Sequence, residues 1–328
     1  MRWAIAGFGW VARDYMAPAL RDCDHQLVAV CDPGAEARAA AEALGARSYP
    51  HIQALLDNEH VDALYVATPN ALHPESTLPA LAAGVAVLCE KPMAADLASA
   101  ERMVAAARGG LLGSAFDQRH HPAHRCLREA IDAGRIGLPT AVRVLYSCWV
   151  DAGWSQGTGA NWRADPVLAG GGAVLDLAPH GLDLCQFLLD EPVEQLHITL
   201  QRRVHEYAVD DGGCLSGCTP SGALYSAHLA YNCPEALPRR RLEIAGERGL
   251  LVAEDTMGQT PGGQVHWICG HTGRREPLAF DAERSPFTEQ AARFADAVAG
   301  RPHAFNAQRD LALTRQLFNA YEKALTWL

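Results

Sequence analysis

No run in this chain approaches the ~20 apolar residues that a membrane-spanning helix needs, so no membrane partner is expected. Positive charge is also short. Lysine and arginine total 28 against 38 aspartates and glutamates, a formal net charge of −10. A chain so charged lacks the basic footprint of a nucleic-acid binder. Its short basic runs, Arg202-Arg203 and Arg239-Arg240-Arg241, read as solvated strand ends. Ten cysteines include no C-x-x-C pair, and Cys31, Cys89 and Cys185 fall inside predicted strands or helices. That is the pattern of reduced thiols and points to the cytoplasm. Metal-ligand spacing is missing too. His120, His121 and His124 are interrupted by Pro122, with no carboxylate or cysteine spaced to complete a site, so no metal is expected. Repeats and low-complexity segments are absent. The first residues already read as a strand, so no leader peptide is expected. At 328 residues the chain is long enough for two cores.

The N-terminus holds a nucleotide fingerprint. Arg2–Ala6 reads as a buried parallel strand. It leads into Gly7-Phe8-Gly9-Trp10-Val11-Ala12, spaced G-x-G-x-x-A, and a second apolar run, Leu27–Cys31, ends in Asp32. Strand, glycine turn, helix, strand and acid form the dinucleotide-binding pattern. Gly7 allows the tight turn, Gly9 admits pyrophosphate to backbone amides, and Ala12 lets the helix pack on the strand. The helix N-terminus then faces the pyrophosphate charge. The Asp32 carboxylate can accept hydrogen bonds from both ribose hydroxyls and would repel a 2′-phosphate. No arginine follows at once, although Arg38 lies in the next helix, so NAD is favoured over NADP.

Strand and helix signals continue in alternation. Helices are predicted at Ala35–Leu44, Ala71–Ala83 and Leu97–Ala107, the last capped by Asp96. Strands are predicted at Val61–Ala67, Val85–Cys89 and Leu111–Phe116. Alternation at this interval implies a parallel sheet with helices on both faces, and ligands there bind at the strands' carboxyl ends. Thr68-Pro69-Asn70 and Glu90-Lys91-Pro92 lie at those ends. Further on, Gly170-Gly171-Gly172 precedes an apolar helix that carries Asp176 and His180 on one face. A carboxylate beside an imidazole is a proton-handling pair. The glycines leave room for a ligand or for another backbone. If His180 is not an acid/base, it reads as a core histidine satisfied by Asp183 or backbone.

These motifs, in this order, resemble the glucose–fructose oxidoreductase/inositol dehydrogenase (Gfo/Idh/MocA) family over nearly the whole chain. Ala67-Thr68-Pro69-Asn70 with His73 looks like the family's third loop. Arg119, Pro122 and Gly134-Arg135-Ile136-Gly137 look like its crossover, and Asn161-Trp162-Arg163 also fits. The resemblance implies a Rossmann domain over 1–118 and a substrate-binding and oligomerisation domain over 119–328. It implies cofactor contacts from Gly7, Phe8, Gly9, Trp10, Val11, Asp32, Thr68, Pro69, Asn70, His73, Glu90 and Lys91. Lys91 would stabilise negative charge on the reacting oxygen, His180 would be the general acid/base, and Asp176 would orient the substrate or hold the base. Arg119, Trp162 and Arg163 would join Asp176 and His180 around the substrate. Trp149, Trp154 and Trp162 would ring the pocket entrance. For His73 a structural role in capping its loop is expected. The Lys91–Pro92 bond is expected to be cis.

From Thr140 onward the texture changes. Apolar runs at Ala141–Val150, Leu196–Gln201, Val204–Ala208, Gly222–Tyr231, Arg241–Ala245, Leu250–Ala253 and Val265–Cys269 suggest a mainly antiparallel sheet in an α+β domain. Its second face is partly apolar and must meet solvent or another subunit, so a homo-oligomer, dimer or tetramer, is expected. Phe287, Ala291, Phe294 and Val298 form one helical stripe, and Leu313, Leu317, Ala320, Ala324 and Leu328 another, both for packing. The expected function is hydride transfer between NAD and a secondary alcohol or ketone of a sugar, cyclitol or related polyol. An NAD-dependent glycosidase could use the same three residues. A non-catalytic nucleotide-binding regulator on this fold has no need of all three together.

Overall fold

The computed structural model describes residues 1–154 and 161–325. The chain divides into two compact units. One is Met1–Ala115 with Trp154–Gly170 and Phe287–Arg315; the other is Phe116–Gly153 with Gly171–Pro286 and Gln316–Leu328.

The first unit is built on a six-stranded parallel sheet. Its strands are β1 (Arg2–Ala6), β2 (Gln26–Cys31), β3 (Arg47–Tyr49), β4 (Ala63–Val66), β5 (Ala86–Cys89) and β6 (Leu112–Ser114), in the order β3-β2-β1-β4-β5-β6. Both faces are covered, so the strands are apolar throughout rather than alternating. Ala4, Ala6, Leu64 and Val66 enter one core. Trp3, Ile5, Ala63 and Tyr65 enter the other. The Pro286–Val298 helix closes the second core with Phe287, Ala291 and Phe294, as its stripe requires. The short strand β3 and the helix Ile52–Asn58 were not foreseen.

The second unit carries an eight-stranded sheet. Its strands are β7 (Pro139–Ser147), β8 (Glu194–Gln201), β9 (Gly212–Cys218), β10 (Leu224–Ala230), β11 (Arg240–Gly246), β12 (Gly249–Glu254), β13 (Gln264–Cys269) and β14 (Arg275–Pro277). The order is β14-β13-β12-β11-β7-β10-β9-β8. Only β7 and β10 run parallel; the other pairs are antiparallel. The inner face presents Val142, Val144, Leu242 and Ile244, all buried. The outer face carries one apolar row in register, Leu224, Ala141, Ala245, Leu250 and Ile268. Beside it runs an ion ladder: Arg143–Glu243, Arg241–Glu243, Arg241–Glu254 and Arg275–Glu254.

One expected strand is absent. Residues 204–208 form no ladder, because the amides of Arg203, Val204 and His205 all donate to Asp211 Oδ2, at 2.9, 2.6 and 3.0 Å. Amides committed to one carboxylate cannot pair with a neighbouring strand. Conversely, β9 (Gly-Gly-Cys-Leu-Ser-Gly-Cys) is a central strand despite its glycines. Leu313, Leu317, Ala320 and Ala324 of the last helix are buried as expected; Leu328 lies outside the described residues.

Candidate active site

In the first unit, the residues with nucleotide chemistry gather at the carboxyl ends of β1, β2, β4 and β5. Strand order reverses between β1 and β4, which is where such sheets bind ligands. Gly7 has φ +83°, and a Cβ there would lie 2.6 Å from the Thr68 amide nitrogen, so the loop after β4 requires glycine. Helix follows directly, beginning with one π-helical turn at Ala12–Met16 before Ala17–Asp22. Pro18 accounts for that turn: its ring cannot sit over the carbonyl four residues back in a regular α-helix. Asp32 directly follows β2. Its Oδ2 accepts from Phe8 N at 2.8 Å and its Oδ1 from Gly34 N at 2.7 Å. Each oxygen retains a lone pair for a ligand hydroxyl. Arg38 Nη1 donates to the carbonyls of Asp32 and Pro33, at 2.9 and 2.7 Å.

The loops after β4 and β5 are tied together by His73. Its Nδ1 lies 3.1 Å from Met93 O and its Nε2 3.0 Å from Thr68 O. Both nitrogens thus meet backbone carbonyls of the two loops. Asn70 Nδ2 donates to Ala169 O at 2.9 Å, which pins the Pro166–Ala169 helix to this loop. Thr68 Oγ1 is buried with no hydrogen-bond partner among the described residues. Glu90 accepts from the Tyr65 hydroxyl, and its Oε2 accepts from Lys91 N at 3.2 Å. The Lys91–Pro92 peptide is cis. Lys91 is one of only two lysines in the chain, with Lys323. A glycine turn at a helix start, the Asp32 carboxylate and the unsatisfied Thr68 hydroxyl together suit a dinucleotide.

Trp162 and Arg163 also belong to this unit. The Arg163 guanidinium stands 4.4 Å from the Trp162 ring and 4.9 Å from the Trp154 ring. Trp154 meets Trp10 of the glycine loop edge-on at 5.6 Å. In the second unit Trp149 packs on His205 at 4.7 Å.

In the second unit the helix Ala173–Leu189 carries Asp176 and His180. Its start is fixed by a residue from elsewhere. Asp210 Oδ1 accepts from Gly172 N at 3.0 Å, its Oδ2 from Val174 N at 2.8 Å, and the Tyr321 hydroxyl donates to it. Burial pushes the Asp210 carboxyl up, against the pull of these donors. The three glycines serve this packing. A Cβ on Gly170 would fall 2.2 Å from Ala95 O, and one on Gly172 2.0 Å from Asp210 O. It is protein that approaches them, which decides between the two readings of the glycine run.

His180 is 2% exposed. A carboxylate that lies against it is Asp117, with Oδ1 3.3 Å from Nδ1. The contact lies outside hydrogen-bond geometry, and His180 Nε2 has no partner among the described residues. Catalytic hydrogen bonds are often long in ligand-free proteins. Asp176 accepts from the Tyr231 hydroxyl at 2.5 Å. Asp183, the alternative partner for His180, instead takes Arg119, with Nε to Oδ2 at 2.9 Å. The Arg119 guanidinium stands 6.0 Å from the Phe116 ring and 5.7 Å from the Phe187 ring. Arg119 thereby braces this helix through Asp183. Tyr146 meets the His180 ring edge-on at 5.5 Å. Asp117, Tyr146 and Tyr231 were missed from sequence; only the polar run Asp117–His121 just beyond β6 could have signalled the first.

Two of the three clustered histidines make structural hydrogen bonds. His121 Nδ1 accepts from Ala123 N and caps the helix Pro122–Asp132. His124 bonds Gln118 O at 2.7 Å and Thr256 Oγ1 at 2.9 Å. Among the described residues no group of three or more His, Cys, Asp or Glu could hold a metal. Burial lowers His73 and His121 to about 4 and His124 to about 3. Their unfolded forms take protons near pH 6.5, so stability is full above that pH and is lost as pH falls toward 4. Near pH 5 the unfolded chain binds up to three more protons, a slope of up to ~4 kcal/mol per pH unit. Urea midpoints at pH 7 and pH 5 measure it; equal midpoints would refute the burial of neutral rings.

Two family profiles match this chain: "Oxidoreductase family, NAD-binding Rossmann fold" over residues 1–110 and "GFO/IDH/MocA C-terminal domain" over residues 124–252. The 1,5-anhydro-D-fructose reductase of Ensifer adhaerens is 36% identical over 80% of this chain and 79% of its own length. Inositol 2-dehydrogenase 3 of Saccharopolyspora erythraea is 28% identical over 95% and 90%. Among solved structures, the aldose-aldose oxidoreductase of Caulobacter crescentus complexed with glycerol has a TM-score of 0.87 at 24% identity, covering 100% of this chain and 98% of that one. A 3-ketoreductase from Actinomadura kijaniata in complex with NADP and TDP-benzene gives 0.83 at 25%, covering 99% and 97%. Among the described residues no helix is long and apolar enough to cross a membrane.

Proposed function

The chain belongs to the Gfo/Idh/MocA family and is an oxidoreductase of sugars or related alcohols with an NAD(P)-binding Rossmann domain; we propose that it uses NAD, with His180 as general acid/base and Lys91 on the reacting oxygen. The observation that carries this reading is the His180 imidazole, held with Nδ1 toward Asp117 and with Nε2 unsatisfied. With the Nδ1 proton directed at the Asp117 carboxylate, Nε2 is the atom that takes the substrate's hydroxyl proton during oxidation and returns it during reduction. The Lys91 ammonium stabilises the alkoxide-like oxygen as that proton leaves. Asp176, with Tyr231, hydrogen-bonds a neighbouring substrate hydroxyl and fixes which carbon reacts. When bound, nicotinamide supplies the hydride chemistry. Sugars, sugar acids and cyclitols offered with NAD or NADP, read as absorbance of the reduced cofactor, test the reading. No turnover with any of them would reject it.

Cofactor choice rests on Asp32. A 2′-phosphate would meet its carboxylate as a like charge, and Arg38 is held on two carbonyls of the same loop. NAD(H) is expected to bind more tightly than NADP(H), and Asp32→Ser to narrow the gap about tenfold or more. Fluorescence titrations with both cofactors decide; tighter NADP(H) binding by the native chain would reverse the assignment. A homo-oligomer through the apolar outer row of β10, β7, β11, β12 and β13 is part of the same proposal. A monomeric mass at micromolar concentration would contradict it.

A further inference from the structure

Three arginines in succession, Arg239–Arg241, lead into β11, and they do not share a fate. Arg239 pairs with Glu235 at 3.4 Å, and Arg241 pairs with Glu243 at 2.7 Å and with Glu254. Arg240 meets no carboxylate among the described residues. Strand alternation explains the difference. Arg241 points to the outer face with its ion ladder, whereas Arg240 shares the inner face with Leu242 and Ile244, which are 0% exposed.

On that face Arg240 stands opposite Tyr146 in register, with its guanidinium 5.9 Å from the ring centre. Tyr146 in turn contacts the His180 ring. Arg240 Nε is shielded from solvent and has no hydrogen-bond partner among the described residues. Space is kept for the head group by Gly258, where a Cβ would fall 2.2 Å from Nη1. A half-buried guanidinium without an anion is costly, and a structural cation would be expected to have found one.

We propose that Arg240 anchors a carboxylate of the substrate, which makes the substrate a sugar acid rather than a neutral polyol. This rests on the oxidoreductase reading of the same site. A guanidinium fork matches a carboxylate in two parallel hydrogen bonds. The neighbouring charges rank a monoanion above a dianion: Asp117 and Asp176 both act electrostatically on Tyr146 beside Arg240. With two acids nearby, a phosphate dianion meets more repulsion than a carboxylate, and the carboxylate is the anion that the guanidinium fork holds in two hydrogen bonds.

The test compares sugars matched in ring and differing by a carboxylate: glucose against glucuronate, and galactose against galacturonate, with glucose 6-phosphate as the phosphate arm. The native enzyme is expected to give the acid at least about tenfold higher kcat/KM than its neutral twin, mainly through KM. Arg240→Gln should bring that ratio near one, and Arg240→Lys should restore part of it. A ratio near one in the native enzyme, a ratio unchanged by Arg240→Gln, or preference for glucose 6-phosphate would overturn the proposal. If Arg240→Gln does not fold, the native ratio and Arg240→Lys decide. Thermal shift at fixed ionic strength separates this from failure of the oxidoreductase reading. Stabilisation of the native protein by glucuronate over glucose, lost in the Arg240 variant, supports the anchor even without turnover; no difference between the two sugars overturns it.

Discussion

His180→Ala is expected to lower kcat by about 10²–10⁴ while the affinity for cofactor changes by no more than a few fold. The size follows from the job. Oxidising a secondary alcohol requires removal of the hydroxyl proton as hydride leaves, and without a positioned base that proton passes to water. His180 is proposed to handle the substrate's proton and not to hold the cofactor, so the loss should fall on turnover. Asp117→Asn gives a finer readout. An amide can still occupy the space but brings no charge to an imidazolium, so kcat should fall while KM changes little. If His180→Ala leaves kcat within tenfold of native, His180 is a core histidine and the mechanism fails.

Lys91→Ala is the second large effect, with kcat expected to fall about 10²–10³. A single ammonium on the developing oxyanion acts in the transition state more than in the ground state, so kcat should suffer more than KM. Lys91→Arg should recover little, because a planar fork on a longer stem does not place a point charge at the same spot. The scarcity of lysine gives an independent check. With only Lys91 and Lys323 in the chain, amine labelling followed by mass spectrometry should show Lys91 protected by cofactor plus substrate and Lys323 indifferent. Equal labelling of both with and without ligands would remove Lys91 from the site.

Sequence made the first unit legible because local chemistry and fold agree there. A glycine with positive φ, an acid at a strand end and a cap at Asp96 are short-range signals, and each is found where expected; Asp96 accepts from Ser99 N at 2.8 Å. The helix with Asp176 and His180 is legible for the same reason. What surrounds it is not. Asp117 precedes His180 by more than sixty residues, and only tertiary packing brings it to Nδ1. Asp210 caps a helix that its own neighbours do not cap. Asp211 turns an apolar run that looks like a strand into a loop by collecting its amides. Arg119 is singled out by the resemblance of its crossover motif, which says nothing of its buried partner Asp183, 64 positions away. Such long-range carboxylates leave no periodic trace in the chain.

The central claim is that Lys91 and His180 act as one device on one carbon–oxygen bond. A double-mutant cycle on kcat tests it most directly, with native enzyme, Lys91→Ala, His180→Ala and the pair measured on the best sugar found. Residues that act as a unit are strongly non-additive, so the pair should lose no more than about tenfold beyond the worse single variant. Losses that multiply in full would show two independent contributions and contradict the account.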